Sequence, residues 1–405
     1  MSKRILIVCQ HFWPENFRIN DITQGFTERG YEVDVLCGIP NYPKGEWFPG
    51  YGFFKKRHEV WNKIRIFRCG EIKRKGNTNL RIFLNYVSFP FFSLFHILPL
   101  MLTHYDKIFL YQLSPVMMSI AGLLLGKLKR IETIMYVLDL WPDNLYSVLD
   151  IQNKTLRHIA QKVSHWHYKK ADKLIGISET MKRKLYEITG NKNIIALPQF
   201  CEKIYEKTVE DSVLLKKFKK GFNIVYTGNI SPAQNYTMIV AAAKIIVYEK
   251  KITDINWIIV GDGMSRTDFE NEVEKSALKK YFYFEGSHPV TDIPKYTFIA
   301  DCLLATLCKS DNLDCTIPAK VISYFAAGKP LLLSMDGDAC SLVNETKSGF
   351  ACSADNLDEF VKNIEQLYYA SNRTRNRMGT HAKEVHLKNF ERESNLSKLI
   401  SFIES

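Results

Sequence analysis

Lys320 and Ser323 stand in the first turns of a segment whose chemistry is legible from residue types alone. The stretch Thr316–Phe350, TIPAKVISYFAAGKPLLLSMDGDACSLVNETKSGF, reads as a short helix, a buried strand and a polar loop. Pro318 suits the first turn of a helix, where a missing N–H costs nothing, and Gly328 suits a left-handed stop. Pro330 forbids continuation, and Leu331-Leu332-Leu333 is short and apolar enough only for an interior strand. The free N–H groups and the dipole at such a helix start favour negative charge. With the Lys320 ammonium and the Ser323 hydroxyl added, and Thr316 at its edge, this is a place for a diphosphate.

Other loops carry weaker signals. Tyr226–Asn235, YTGNISPAQN, joins an apolar run to a helix; Gly228 lets a backbone come close to a ligand, and the following amides can face phosphate. Val260-Gly261-Asp262-Gly263 taken alone is a turn. Tyr136–Asp143, YVLDLWPD, leaves a buried run and ends at a proline. Asp139 and Trp141 exposed together there would hydrogen-bond one face of a sugar and stack on the other; a capping Asp and a core Trp are the plain structural alternative. Asp336-Gly337-Asp338 has the outline of a metal-binding D-x-D, yet a hard cation needs several more oxygen ligands. A structural or sugar-contacting loop is expected there, and no metal site.

The elements that position these loops follow from periodicity. Apolar runs at Ile5–Cys9, Val33–Cys37, Ile64–Arg68, Ile108–Tyr111, Thr133–Val137 and Leu174–Ile177 alternate with helical patterns, the signature of parallel α/β sheets. The pattern lapses in the charged stretch Glu202–Lys220. It restarts at Asn223–Thr227, Trp257–Val260, Phe282–Glu285, Leu303–Thr306 and Leu331–Ser334. The expected fold class is α/β, two Rossmann-like domains facing a central cleft: residues 1–200, residues 201–380, and a terminal helix, 381–405, packing back toward the first domain. Open α/β sheets bind ligands at the carboxyl ends of their strands, so loops just after strands are where a site belongs.

Charge adds a partner. The net charge is +12, and residues 1–200 hold 29 Lys and Arg against 16 Asp and Glu, so the excess belongs to the first half. Lys55–Arg81 alone carries ten basic and two acidic residues, and residues 81–102, RIFLNYVSFPFFSLFHILPLML, follow directly. That run is nearly long enough to span a bilayer but is interrupted by Asn85, Pro90, His96 and Pro99. It is read as a helix in the membrane interface or, more plainly, a buried helix. In the interfacial reading Phe91, Phe92 and Phe95 enter the interface, with Lys55, Lys56, Arg57, Arg74 and Lys75 drawn to anionic headgroups. Nucleic acid is not expected: no zinc-ligand spacing, basic zipper or RNA-binding aromatic motif accompanies the basic pI. Nine cysteines scattered without a C-x-x-C pair point to a reducing cytosol, and the first residues read as a strand rather than a signal peptide.

The run P-x-K-x-x-x-Y-x-A-x-G-K-P, Pro318 to Pro330, resembles the donor-site helix of family-4 glycosyltransferases, most closely the branch that builds bacterial O-antigen, capsule and related polysaccharides. Tyr226–Gln234 is similar to that branch's G-N-I-x-x-A-Q loop, although Asn229 and Gln234 stand where other branches carry an Arg and a Lys for the diphosphate. Val260–Gly263 resembles the V-G-D-G turn beside the donor sugar. Glu285–Val290, with Ser287 and His288, matches the segment whose backbone reads the base. Asp139–Asp143 resembles D-L-W-P-E, and His11-Phe-Trp13-Pro-Glu15-Asn16 resembles the F-P-P-E loop. Gly30–Asp34, Pro40–Pro43 and Ala171–Glu179 match in the same order. The family's two glutamates eight positions apart are replaced by Cys315 and Ser323, which leaves the ribose contact unassigned.

The resemblance implies a GT-B glycosyltransferase that retains anomeric configuration. Its donor would be a nucleotide diphosphate-sugar, expected to be a UDP-sugar, and its acceptor a lipid-linked saccharide at the inner face of the cytoplasmic membrane, with the protein cytoplasmic and peripheral. No cofactor or metal is expected. Lys320, the Gly228–Gln234 amides and the helix terminus would stabilise charge on the leaving phosphate. A leaving-phosphate oxygen would take the acceptor proton. Asp139 would orient the acceptor beside His11, Trp13 and Trp141, with Glu15 and Asn16 nearer the donor, and domain closure would exclude water. The rivals are a nucleotide-sugar epimerase of the same fold and a non-catalytic scaffold of a polysaccharide assembly complex.

Overall fold

A computed structural model describes residues 2–42, 45–77, 79–142, 153–309 and 315–405. The chain divides into two compact units, Met1–Leu197 with Leu396–Ser405, and Pro198–Asn395.

In the first unit the strands are β1 (Arg4–Val8), β2 (Glu32–Cys37), β3 (His58–Trp61), β4 (Ile64–Arg68), β5 (Lys107–Gln112), β6 (Thr133–Val137), β7 (Lys173–Gly176) and β8 (Ile194–Ala196). They form one sheet in the order β3-β4-β2-β1-β5-β6-β7-β8. The β3–β4 pair is antiparallel and the other described pairings are parallel. Interior strands such as β1 and β6 are almost wholly apolar after their first residues, Arg4 and Thr133, because helices cover both faces. Strand order reverses between β1 and β5, which opens a crevice at their carboxyl ends. Four helices matter below: α1 (Arg18–Glu28), α2 (Asn79–Leu94), α3 (Ile97–Met101) and α4 (Ile120–Lys129).

The second unit repeats the plan. Strands β9 (Phe222–Thr227), β10 (Ile255–Val260), β11 (Phe282–Gly286), β12 (Cys302–Thr306), β13 (Leu331–Ser334) and β14 (Gly349–Cys352) form a parallel sheet in the order β11-β10-β9-β12-β13-β14. This is the doubly wound order of a dinucleotide-binding fold, with its switch point between β9 and β12. The fold is therefore two Rossmann-like units, as the periodicity predicts. The expected strands are all present to within a residue or two; β3, β8 and β14 were not expected.

The terminal region departs from expectation in its boundaries. A single long helix gives way to helix Asn372–Val385, a wide turn His386–Phe390 and helix Arg392–Glu404. Residues 381–395 stay with the second unit. Phe390 stacks on Phe325 with ring centroids 5.6 Å apart, and its carbonyl accepts from the Cys201 N–H at 2.9 Å. Only from Leu396 onward does the chain join the first unit. Buried Leu396 lies where a side chain on Gly25 of α1 would stand, 2.6 Å from the position of a Cβ there. The Tyr31 hydroxyl donates to Glu404 at 2.5 Å.

Leu396→Ala should therefore lower the stability of the first unit by about 2–5 kcal/mol, as a cavity opens against a glycine that cannot fill it. Five of the six tryptophans lie in that unit, so urea unfolding followed by intrinsic fluorescence reads the loss directly.

Candidate functional site

In the second unit the sheet itself prepares the site. The described pairing of β9 with β12 ends at Tyr226 and Leu304. Beyond it the Tyr324 hydroxyl fills the gap, accepting from the Thr227 N–H at 2.8 Å and donating to the Leu304 carbonyl at 3.1 Å. Tyr324 belongs to helix Ala319–Ala327, which starts after extended Pro318 and ends at Gly328 with φ +67°. Both punctuation residues act as expected.

One turn before Tyr324, the partly buried Lys320 crosses the Tyr226 ring, its Nζ 3.8 Å from the ring centroid. The ammonium donates to the Tyr226 hydroxyl and to Gln234 Oε1, both at 2.6 Å. No carboxylate pairs with it among the described residues. Burial pulls its pKa down to about 7, since nothing nearby repays desolvation of the charge. Tyr226 in turn donates to the Asn229 carbonyl at 2.7 Å, so one aromatic ring fixes both the loop and the lysine. Nothing in the residue pattern marked Tyr226 for that task.

The glycine loops beside Lys320 are zipped together by backbone. Gly228 N–H donates to the Val260 carbonyl, Ile230 N–H to the Asp262 carbonyl and Gly261 N–H to the Gly286 carbonyl, at 2.8–2.9 Å. A Cβ on Gly261, whose φ is +146°, would stand 1.9 Å from the Gly228 carbonyl oxygen; one on Gly263 would stand 2.2 Å from that of Ile230. These glycines are present because backbone meets backbone. The expectation that the Gly228–Gln234 amides cradle phosphate is narrowed accordingly: the amides of Gly228, Ile230 and Gln234 are already bonded within the protein. The Ser323 hydroxyl donates to the Ala319 carbonyl at 3.2 Å, and Thr316 and Pro318 are partly exposed at the helix start. After β11, Ser287 and Val290 are exposed, while His288 Nε2 lies 2.9 Å from the Tyr296 hydroxyl. Arg266, which the sequence did not single out, lies 3.9 Å from Asp262 and bonds Glu270 at 2.8 Å. Asp336 accepts from the Ala354 N–H at 3.4 Å, a loop-closing contact. Among the described residues no three of His, Cys, Asp and Glu converge as a metal site.

In the first unit three expectations fail. Trp141 is buried rather than presented: its indole N–H donates to Ser114 Oγ at 2.8 Å and its ring meets Tyr86 edge-on. Glu15 is also buried and acts as a loop staple. Its Oε1 accepts from the Asn41 and Tyr42 N–H groups at 2.8 and 2.7 Å, and His11 Nδ1 lies 3.1 Å from both oxygens. Catalysis from Glu15 would require breaking the loop it closes. His11 is buried as well, stacked on Phe17. Asp139 remains available: Ser114 Oγ donates to it at 3.0 Å, and burial raises its pKa above the usual carboxylate range. The exposed indole is that of Trp13, stacked on Trp61 at 4.8 Å, with Asn16 exposed nearby. Asp143 and Pro43 lie outside the described residues.

The basic segment is largely spent on its own fold. Arg57 donates to the Phe53 and Arg68 carbonyls, Arg74 to Asn85 Oδ1, and Lys75 sits 3.7 Å from Glu46; Lys55 and Lys56 are exposed. The segment after it is inverted. On α2 and α3 the residues turned outward are Leu80, Phe83, Leu84, Val87, Phe91, Leu94, Phe95, Leu98 and Met101, at helical spacing, and Leu102 beyond them is 91% exposed. The buried face holds Asn85, Ser88 and Ser93 together with Tyr86, Phe89 and Leu100. Asn85 links Glu71, Gln10 and the Ile72 carbonyl, and Ser88 accepts from the Ile72 N–H. Phe92 is not outward but packs on Phe53. No described helix is long and apolar enough to cross a membrane.

With this geometry in view, residues 210–385 match the family model described as Glycosyl transferases group 1. The likeness to that family lies within the second unit. A curated relative, the Escherichia coli UDP-Gal:alpha-D-GlcNAc-diphosphoundecaprenol alpha-1,3-galactosyltransferase, is 26% identical over 172 residues, 42% of this chain and 42% of that protein. The match thus spans less than half of the relative's length. Among solved structures, sucrose-phosphate synthase from Thermosynechococcus elongatus superposes with a TM-score of 0.73 at 13% identity, covering 100% of this chain and 98% of that one. Anabaena HepE in complex with UDP and glucose gives 0.71 at 13% identity, covering both chains fully. At such identities the likeness is one of fold, and that fold is GT-B.

Gly261→Ala should destabilise the second unit by at least about 2 kcal/mol, because strain at φ +146° adds to the clash with Gly228. A lowered melting temperature is the expected readout.

Proposed function

We propose that this chain is a retaining glycosyltransferase, moving a sugar from a UDP-sugar to a lipid-linked saccharide in bacterial surface polysaccharide biosynthesis. The observation that carries the reading is Lys320: a partly buried cation without a carboxylate partner among the described residues, at a switch-point helix start inside the segment that matches the group 1 glycosyltransferase model. A diphosphate supplies the missing negative charge. Together with the free N–H groups at that helix start, Lys320 neutralises charge on the leaving group, and this positive field does the work a divalent cation does elsewhere. Asp139, hydrogen-bonded by Ser114, orients the acceptor hydroxyl; a leaving-phosphate oxygen takes its proton on the same face. Trp13 replaces Trp141 as the stacking surface for a sugar ring.

The acceptor class rests on α2 and α3. A helix pair with its apolar stripe outward and its amide and hydroxyls inward suits an interface with acyl chains, and the curated relative's name specifies a diphosphoundecaprenol-linked substrate. A free nucleotide-sugar epimerase has no use for such a face. The protein is accordingly read as peripheral on the inner leaflet.

UDP, and not GDP, ADP or CMP, should raise the melting temperature, because a ligand of the folded state stabilises it by mass action. Lys320→Ala should weaken UDP binding roughly 10- to 150-fold, the equivalent of about 1.5–3 kcal/mol for a charged hydrogen bond. Absence of any nucleotide response would sink the reading.

Affinity for an intact UDP-sugar, whose diphosphate does not titrate near neutrality, should also depend on pH. The free Lys320 pKa is about 7, and the bound anion raises it. Affinity is then level below pH 7 and weakens by up to about tenfold per unit as pH rises above it. Calorimetry at pH 8 in buffers of different ionisation enthalpy should register proton uptake, and Lys320→Ala should abolish it.

A further inference from the structure

A second anion site lies in the first unit, away from the loops described above. At the amino-terminal ends of β6 and β7, the carboxyl ends of α4 and of helix Lys154–Lys170 converge on an open hollow of about 810 Å³. Lys127, Arg130, Lys169 and Lys170 line it, with the half-exposed indole of Trp166 in its wall. Its two carboxylates are already engaged. Glu132 pairs with Lys107 and Lys173, and Asp172 accepts from the N–H and hydroxyl of Thr133. The four cations have no carboxylate partner among the described residues. Basic residues near a helix end complement its dipole; two such ends sharing one hollow concentrate four positive charges that no described carboxylate pairs with.

The surroundings identify the anion. Leu128, 60% exposed, sits among the cations of α4 itself. Lys129 donates to the Met101 and Thr103 carbonyls, fixing this rim to the end of α3, where Leu98, Met101 and Leu102 are exposed. The outward apolar stripe therefore ends at the basic hollow, and tryptophan is a residue suited to the headgroup level.

We propose that the hollow takes the phosphate of an anionic phospholipid headgroup while α2 and α3 lie among the acyl chains. The proposal rests on the membrane reading above and deepens it. The headgroup contacts come from α4 and helix Lys154–Lys170 rather than from Lys55–Lys75, where Arg57, Arg65, Arg68 and Arg74 are held by their own fold. The docked face then has an apolar floor and a charged end, which fixes the orientation of the unit on the leaflet.

The test uses the full chain in sedimentation with phosphatidylcholine vesicles, with or without phosphatidylglycerol. The variants are Lys127→Gln/Arg130→Gln, Lys169→Gln/Lys170→Gln and, on the stripe, Leu98→Ser. Each cation at an anionic surface contributes about 1 kcal/mol, about fivefold in partitioning. Each double variant should therefore lose about 25-fold of the preference for phosphatidylglycerol, while its stabilisation by UDP stays that of the wild type. Double variants that keep the wild-type preference overturn the hollow as the headgroup site but leave the membrane reading standing, provided Leu98→Ser weakens binding to both vesicle types. A wild type that sediments with neither vesicle overturns both. Stabilisation by soluble glycerol phosphate, lost in the double variants and unaccompanied by any vesicle preference, overturns the lipid as the source of the phosphate.

Discussion

The second unit depends on one gap in a sheet. Where β9 and β12 part, backbone groups that would bond across a continuous sheet face a crevice. An unmade buried hydrogen bond costs more than a made one contributes. The Tyr324 hydroxyl bonds both edges at once, Thr227 on one side and Leu304 on the other, and so anchors helix Ala319–Ala327 to the switch point. Lys320 is on that helix one turn earlier, and Tyr226, the last residue of β9 paired with β12, is its floor. A helix start, a cation and an aromatic shelf are thereby delivered to one place by the requirement to satisfy two backbone groups.

Charge at that place is held in an unfinished state. The family's acidic residues are replaced by buried Cys315 and by Ser323, whose hydroxyl is turned to its own helix. Among the described residues Lys320 has neutral partners only, and burial lowers its pKa. A carboxylate nearby would raise that pKa and also compete with an incoming diphosphate. In the proposed reaction the diphosphate would then be the counter-ion, and electrostatic stabilisation would concentrate on the leaving group.

Much of this was legible in the sequence, for physical reasons that also explain the failures. Buried parallel strands announce themselves as apolar runs, so β1, β6, β9 and β12 were placed to within a residue or two. The exposed edge strand His58–Trp61 and the three-residue Ile194–Ala196 bury too little to leave that mark. Pro318 and Gly328 were read correctly because their backbone constraints are local. Glu15 and Trp141 were misassigned because their partners, the Asn41 and Tyr42 amides and the Ser114 hydroxyl, are distant in sequence. An indole after a strand looks the same whether it caps a core or faces a sugar. Gly261 was tied to the donor site on family pattern alone; the structure shows that the Gly228 carbonyl leaves no room for a side chain.

The inverted helix shows most clearly how orientation escapes composition. Residues 81–102 are apolar on nearly every side, so hydrophobicity does not say which face is inner. The decision falls to the few polar residues. Asn85 cannot be buried without partners, and it finds them in Gln10, just after β1, and in Glu71, just after β4. Burial raises the Glu71 pKa, and one of its oxygens lies 2.0 Å from where a Cβ on Gly38 would be, so this packing admits only glycine there. A polar network at the carboxyl edge of the sheet thus pins α2 by its hydrophilic side and turns the phenylalanines and leucines outward. Burying those residues and exposing Asn85 would gain hydrophobic stability and cost the network. That the fold keeps the network is the physical reason to look for an apolar partner on the outer face.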